Sequence, residues 1–225
     1  MTQLGQALLS TQTPVLPGPL AVSLYLSLSW GVVLACLARH AVRGKRGAVL
    51  ALALLLLCLL PGTVSPAYWL GLTFRAPSAL LCVLCLWGMW RHGRQGWQSS
   101  ASGPMLAAWP ALVLGALVVL GWVLLLDTLA LLPLDGSVYA WGFAPLVTGL
   151  LVLLSTWAAF AGSGRGRGAT WAWLLLAAVL SHAVLRLPTG NVWDAVLDPV
   201  LWFWLQWQAL RRLRPAQTPS LSRRL

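Results

Sequence analysis

Charge is scarce in this chain of 225 residues. Only 8% of the residues are charged and glutamate is absent, whereas a soluble globular domain carries about 25% charged residues. The same shortage excludes a disordered chain and a coiled coil, because both need more polar residues. Four cysteines are too few for a disulfide-stapled secreted domain. The single lysine, Lys45, lies between apolar runs, so no lysine is placed to form the Schiff base of a retinal protein.

Apolar residues are abundant instead. They make up 59% of the chain, which has a mean hydropathy of +0.80, and a membrane-crossing helix needs about 20 mostly apolar residues. The apolar runs therefore predict an all-α, polytopic membrane helical bundle of about seven transmembrane helices. Their predicted bounds are 20–38, 48–60, 68–90, 105–126, 141–161, 169–187 and 192–210. The second run is short, and we expect its helix to continue past Pro61.

Basic residues predict the orientation of the bundle. All Lys and Arg residues except Arg75 and Arg186 follow the first, third, fifth and seventh runs, and such clusters mark cytoplasmic loops. The amino terminus is then outside and the carboxyl terminus cytoplasmic. This divides the chain into a short periplasmic segment (1–19), a transmembrane domain (20–214) and a disordered cytoplasmic tail (215–225). The dispersed clusters argue against nucleic acid as a partner. The strong preference for arginine over lysine indicates a GC-rich bacterial genome, so we expect a multi-pass protein of a bacterial inner membrane.

The remaining ionisable and polar residues are predicted to gather at the outer face. This predicted outer-face polar cluster comprises Arg75, Asp127, Asp135, His182, Arg186, Asn191, Asp194 and Asp198. A charge at the centre of a membrane helix costs roughly 2.5 to 3.5 kcal/mol and usually finds a partner inside the bundle. We therefore expect Arg75 or Arg186 to form an ion pair with Asp198 or Asp127. Such a pair would either lock helices together or belong to a binding site.

Two pairs of residues in the cluster are spaced four apart, which places each pair on one helix face. His182 could act as a general acid or base and Arg186 as an anion clamp. Asp194 and Asp198 could hold a divalent cation. The alternative for the acids is helix capping, because Asn191 and the dipeptide at Asp198 both match the start of a helix. No metal site and no cofactor are predicted.

Three classes of function remain open. Small loops, an aromatic surface with 15 tryptophans and the lack of a convincing catalytic group favour a non-catalytic accessory or assembly subunit of an envelope complex. The first alternative is a small carrier or solute-binding component with an outward-facing pocket. It predicts that Pro77 and Pro199 interrupt helices whose freed backbone groups line a cavity. The second is a membrane enzyme acting on a lipid-linked substrate at the periplasmic face. The expected partners are the lipid bilayer, a membrane protein, and a lipid or small molecule at the outer face.

Overall fold

The computed structural model of the chain describes residues 3–42, 44–95, 109–133, 136–163 and 169–213. Every regular element within these ranges is helical, which confirms the all-α prediction. A short 3-10 helix, Gly62–Val64, lies between α3 and α4. The α-helices are α1 Gln3–Leu8, α2 Pro19–Ala41, α3 Gly44–Cys58, α4 Pro66–Phe74, α5 Ala79–Gln95, α6 Ala111–Thr128, α7 Val138–Trp141, α8 Pro145–Ser163, α9 Thr170–Leu185, α10 Val192–Val196 and α11 Pro199–Leu213.

Among the described residues, three helices are long and apolar enough to cross a membrane. They are α2, α6 and α8 over Pro145–Gly162, and they correspond to the first, fourth and fifth predicted spans. The helical stretches Ala79–Arg91 and Thr170–Leu185 are apolar but shorter. Large apolar side chains cover the outside of the bundle, since Leu112, Trp157 and Phe203 are each more than 60% exposed. Exposed apolar surface of this extent is typical of a protein face that contacts a membrane or a partner protein.

Two of the predicted spans are interrupted helices. The third is divided into α4 and α5 by residues 75–78, which include Pro77. The seventh is divided into α10 and α11 by Leu197 and Asp198. Pro199 is the first residue of α11, a position where the missing N–H of proline costs no helical hydrogen bond.

The structure corrects two of the predicted boundaries. The second helix does not continue past Pro61, because α3 ends at Cys58 and the Ser65 hydroxyl donates to the Cys58 carbonyl at 3.0 Å. Proline also disfavours helical backbone in the residue before it. The fifth span begins at Pro145 rather than Trp141, which belongs to the separate short helix α7. The start predicted for the fourth span, Met105, lies outside the described residues; within them, α6 begins at Ala111.

The core is built around α5, which packs against α2, α9 and α10, while α11 packs against α6. Its largest fully buried apolar side chains are Leu80, Leu84, Val179, Val192, Leu201 and Leu205. The contact between α6 and α11 depends on a glycine, because a Cβ at Gly121 would overlap the Trp202 ring. Trp202 is also anchored by its Nε1, which donates to the Val118 carbonyl at 3.1 Å. These contacts bring α10 and the start of α11 beside the interruption between α4 and α5.

Candidate functional site

The interruption between α4 and α5 is held by side chains of α2. Arg75 has φ of 60° and ψ of −150°, a conformation that costs a non-glycine residue about 1 to 3 kcal/mol. Its carbonyl accepts a hydrogen bond from Trp30 Nε1 at 2.8 Å, and the Pro77 carbonyl accepts one from the Tyr25 hydroxyl at 2.9 Å. These bonds satisfy backbone groups that the interruption removes from helical pairing, as an apolar environment requires.

Asp198 joins the two interruptions. Its Oδ2 accepts a hydrogen bond from the Ser78 amide at 2.7 Å, and its Oδ1 accepts one from the Leu201 amide at 2.8 Å. The two amides lie at the amino-terminal ends of α5 and α11, where N–H groups lack partners within the helix. The carboxylate is only 8% exposed, and its charge is favoured by the positive ends of both helix dipoles. The predicted capping role of Asp198 is confirmed, and it extends to a second helix.

The carboxylates in the described part of the chain accept hydrogen bonds from amides and hydroxyls instead of forming the expected ion pairs with Arg75 or Arg186. Both oxygens of Asp198 are taken by backbone amides. Asp127 Oδ2 accepts from the Ser137 hydroxyl and from the Tyr139 amide, each at 2.8 Å. Helix ends supply N–H donors at fixed positions beside these acids, which removes the need for a flexible arginine partner. Asp135 lies outside the described residues.

A cavity of about 200 Å³ lies where the two interruptions meet, and we call it the junction cavity. Three members of the predicted outer-face cluster line it: Arg75, Asp194 and Asp198. The rest of its lining consists of Thr189 and of the apolar residues Phe74, Ala76, Pro188, Leu197 and Pro199. The cavity therefore combines an arginine with two carboxylates, of which Asp198 is already occupied by backbone amides.

Asp194 is held in the junction cavity by two hydroxyl groups. Its Oδ2 accepts hydrogen bonds from the Tyr139 hydroxyl at 2.7 Å and from Thr189 Oγ1 at 2.5 Å. Burial, together with the hydrogen bond to Asp194, raises the pKa of Tyr139 to about 12. The Tyr139 hydroxyl thus remains a hydrogen-bond donor at neutral pH. The second oxygen of the Asp194 carboxylate, Oδ1, accepts no hydrogen bond from the described residues.

Asn191 connects α7 to α10. Its side chain is fully buried, its Oδ1 caps α10 by accepting from the Trp193 amide at 2.9 Å, and its Nδ2 donates to the Tyr139 carbonyl at 2.8 Å. Trp193 Nε1 donates to the Val138 carbonyl at 3.0 Å. We call these contacts the α7–α10 clamp. The clamp places the Tyr139 hydroxyl next to Asp194, so the predicted capping role of Asn191 is confirmed and its effect reaches the cavity.

His182 and Arg186 line a different cavity of about 230 Å³, which we call the α9 cavity. The other residues that line it are Pro14, Phe143, Pro145, Thr148, Ala183 and Gly190. His182 is 4% exposed, and its Nδ1 lies 3.2 Å from the Leu187 carbonyl. A carbonyl only accepts hydrogen bonds, so Nδ1 carries a hydrogen, and in the neutral ring Nε2 keeps a lone pair. The predicted cluster is therefore divided, with residues 187–191 passing between the two cavities.

Asp194 and Asp198, the candidate ligands of a divalent cation, use most of their carboxylate oxygens as hydrogen-bond acceptors. Three of the four oxygens, both of Asp198 and Oδ2 of Asp194, already accept hydrogen bonds. In the part of the chain that the structure describes, no three His, Cys, Asp or Glu side chains come together as metal ligands would. Both acids act as hydrogen-bond acceptors that organise helix ends and the cavity wall.

Three residues of this region were not predicted from the sequence. Tyr25, Tyr139 and Thr189 each donate a hydroxyl hydrogen bond to one of the interrupted segments or to Asp194. The sequence gives a signal only for the two tyrosines, because it contains just three tyrosines in all. Comparison of the chain with protein families, with curated protein sequences and with solved structures finds no match in any of the three.

Proposed function

We propose that this chain is a multi-pass protein of a bacterial inner membrane that binds a small solute in the junction cavity. It acts as a small carrier or as a solute-binding membrane component. One observation carries the proposal: two interrupted apolar helices meet at Asp198, beside a cavity with charges of both signs. Irregular backbone at membrane depth is tolerated where it lines a cavity. Small carriers form substrate sites from such discontinuous helices.

The lining of the junction cavity favours a small dipolar solute. Arg75 supplies a cation, and Asp194 supplies a carboxylate oxygen that accepts no hydrogen bond from the described residues. The Tyr139 and Thr189 hydroxyls hold this carboxylate in place, so little conformational freedom is lost when a ligand binds. A solute with an amino group and an acidic group would complement both sides.

The membrane topology can be tested with periplasmic and cytoplasmic reporter fusions. We propose seven spans, of which α4 with α5 and α10 with α11 each form one interrupted span. Fusions in the loops that follow Arg43, Arg94 and Arg167 should report cytoplasm, because their basic residues resist export. A fusion at Gly136 should report periplasm. A periplasmic signal from any of the three basic loops would overturn the orientation and the outward-facing cavity.

Solute binding can be tested by native mass spectrometry of the protein purified gently from its own membrane. We expect a retained small molecule whose occupancy falls at least tenfold in Asp194→Asn and in Arg75→Gln, because a hydrogen bond to a charged group contributes about 1.5 to 3 kcal/mol. Arg91→Gln, which removes an equal charge from an exposed position outside the cavity, is the control and should retain the molecule.

The same spectra test the alternative functions. A stoichiometric protein partner without a retained small molecule would favour the accessory-subunit hypothesis over a carrier. A retained lipid whose occupancy depends on His182 and not on Asp194 would instead favour the enzyme hypothesis. Equal occupancy in Asp194→Asn, Arg75→Gln and the wild type contradicts the junction cavity as the binding site.

A further inference from the structure

The α9 cavity carries positive charge without a carboxylate in its lining. Arg186 lines it, and none of its other lining residues is acidic. The carboxylate that acts electrostatically on the His182 ring is Asp194, which is held on the junction side by Tyr139 and Thr189. We propose that the α9 cavity is a binding site for a singly charged phosphate group that keeps a hydrogen, either inorganic phosphate or the headgroup of a lipid phosphomonoester.

The local backbone keeps the two recognition residues together. Arg186 ends α9 with left-handed backbone, φ 54° and ψ 28°, and its amide donates to the His182 carbonyl at 2.7 Å. The following turn brings the Leu187 carbonyl to His182 Nδ1. His182 is thereby held in one tautomer while both side chains line the same cavity. Neither arrangement depends on the solute proposed for the junction cavity.

The fixed tautomer selects the protonation state of the ligand. His182 lines the cavity, and its Nε2 has no hydrogen-bond partner among the described residues. In the neutral ring this nitrogen carries a lone pair, so it needs a hydrogen-bond donor from the ligand. Arg186 needs an anionic oxygen. A singly charged phosphate group supplies both, because at least one oxygen carries a hydrogen and another carries the charge. Sulfate and phosphodiesters carry the charge but no hydrogen.

The apolar half of the lining is compatible with a lipid source. Phe143, Pro145 and Ala183 line the cavity beside the polar pair, and Pro145 and Ala183 are exposed at the surface of the bundle. An acyl chain attached to the phosphate could therefore leave the cavity along the outside of α8 and α9. Free phosphate would use the polar pair alone.

The proposal can be tested by isothermal titration at pH 6 with the full chain in dodecyl maltoside, which contains no phosphate. The probes are inorganic phosphate, sulfate, dihexanoyl phosphatidic acid and dihexanoyl phosphatidylglycerol. We expect phosphate to bind about tenfold or more tightly than sulfate, and phosphatidic acid more tightly than phosphatidylglycerol. Stronger binding of phosphatidic acid than of phosphate would indicate a lipid ligand, and the reverse a free anion.

Two variants separate the roles of the polar pair. Arg186→Gln should weaken both phosphate and phosphatidic acid about tenfold. His182→Asn retains a side-chain amide that can donate to the Leu187 carbonyl, and it should abolish the preference for phosphate over sulfate while leaving the melting temperature nearly unchanged. Arg91→Gln should bind like the wild type. Equal affinity for phosphate and sulfate, absence of binding by phosphate and phosphatidic acid, or unchanged affinity in Arg186→Gln would each overturn the proposal.

Discussion

Replacing Asp198 with alanine is expected to lower the free energy of unfolding by about 3 kcal/mol or more. The substitution leaves two amides without their acceptor, those of Ser78 and Leu201. Both hydrogen bonds are buried and end on a charged group, the class for which loss is most costly. Because the amides belong to different helices, the variant removes an N-terminal cap from α11 and the link between the two interruptions together.

Denaturant titration in detergent, followed by tryptophan fluorescence, measures this effect. Asp198→Asn keeps one acceptor oxygen but turns an amide group toward the second N–H, so its loss should be intermediate. Asp127→Ala is the matched comparison, because Asp127 also accepts two hydrogen bonds, from the Ser137 hydroxyl and from the Tyr139 amide of α7, but is less buried. Its loss should be smaller. If Asp198→Ala and Asp127→Ala were equally stable, the bridging role of Asp198 would be wrong.

Replacing Gly142 with alanine is expected to cost about 2 to 4 kcal/mol, through overlap in the core and loss of buried hydrogen bonds. A Cβ at Gly142 would overlap Asn191 Oδ1 and Trp193 Cδ1, while the Gly142 carbonyl accepts from the Val192 amide at 2.9 Å. The backbone of Gly142 is ordinary, with φ of −66° and ψ of −14°. Glycine is therefore required at this position because a larger residue does not fit. Asn191 cannot move aside, because it caps α10 and donates to the Tyr139 carbonyl.

Gly136 provides a control for this substitution in the same connection between α6 and α8. A Cβ at Gly136 meets nothing within 4 Å, so Gly136→Ala should leave the unfolding free energy close to that of the wild type. Because the α7–α10 clamp holds Tyr139 beside Asp194, Gly142→Ala should also weaken solute binding in the junction cavity. A Gly142→Ala variant that unfolds like Gly136→Ala would show that the clamp has room for a methyl group.

Local features of the fold were predictable because they depend on neighbours in the chain. The apolar runs predict an all-α chain, and Pro77 and Pro199 lie at the two interruptions. The sequence left open whether Asn191 or Asp198 starts the last helix, and the structure uses both because the span is divided into α10 and α11. Capping and proline effects act within about one helical turn, so residue spacing alone reveals them.

The contacts that form the site join segments far apart in the chain. Asp198 is 120 residues from Ser78, and Asp194 is 55 residues from Tyr139. Spacing by four residues correctly placed His182 beside Arg186, since both line the α9 cavity. It could not reveal that residues 187–191 pass between this pair and Asp194, because a turn can direct the chain to either side of a helix end.

Composition and residue spacing by themselves determined that this protein is helical, that its surface is apolar and where its helices are interrupted. Only the tertiary structure decided which donors the carboxylates receive, and it selected backbone amides and hydroxyls over Arg75 and Arg186. The physical reason is that a buried carboxylate is satisfied by the donors that packing brings within about 3 Å. Helix packing, which depends on the whole bundle, brought the ends of α5, α10 and α11 to the same place.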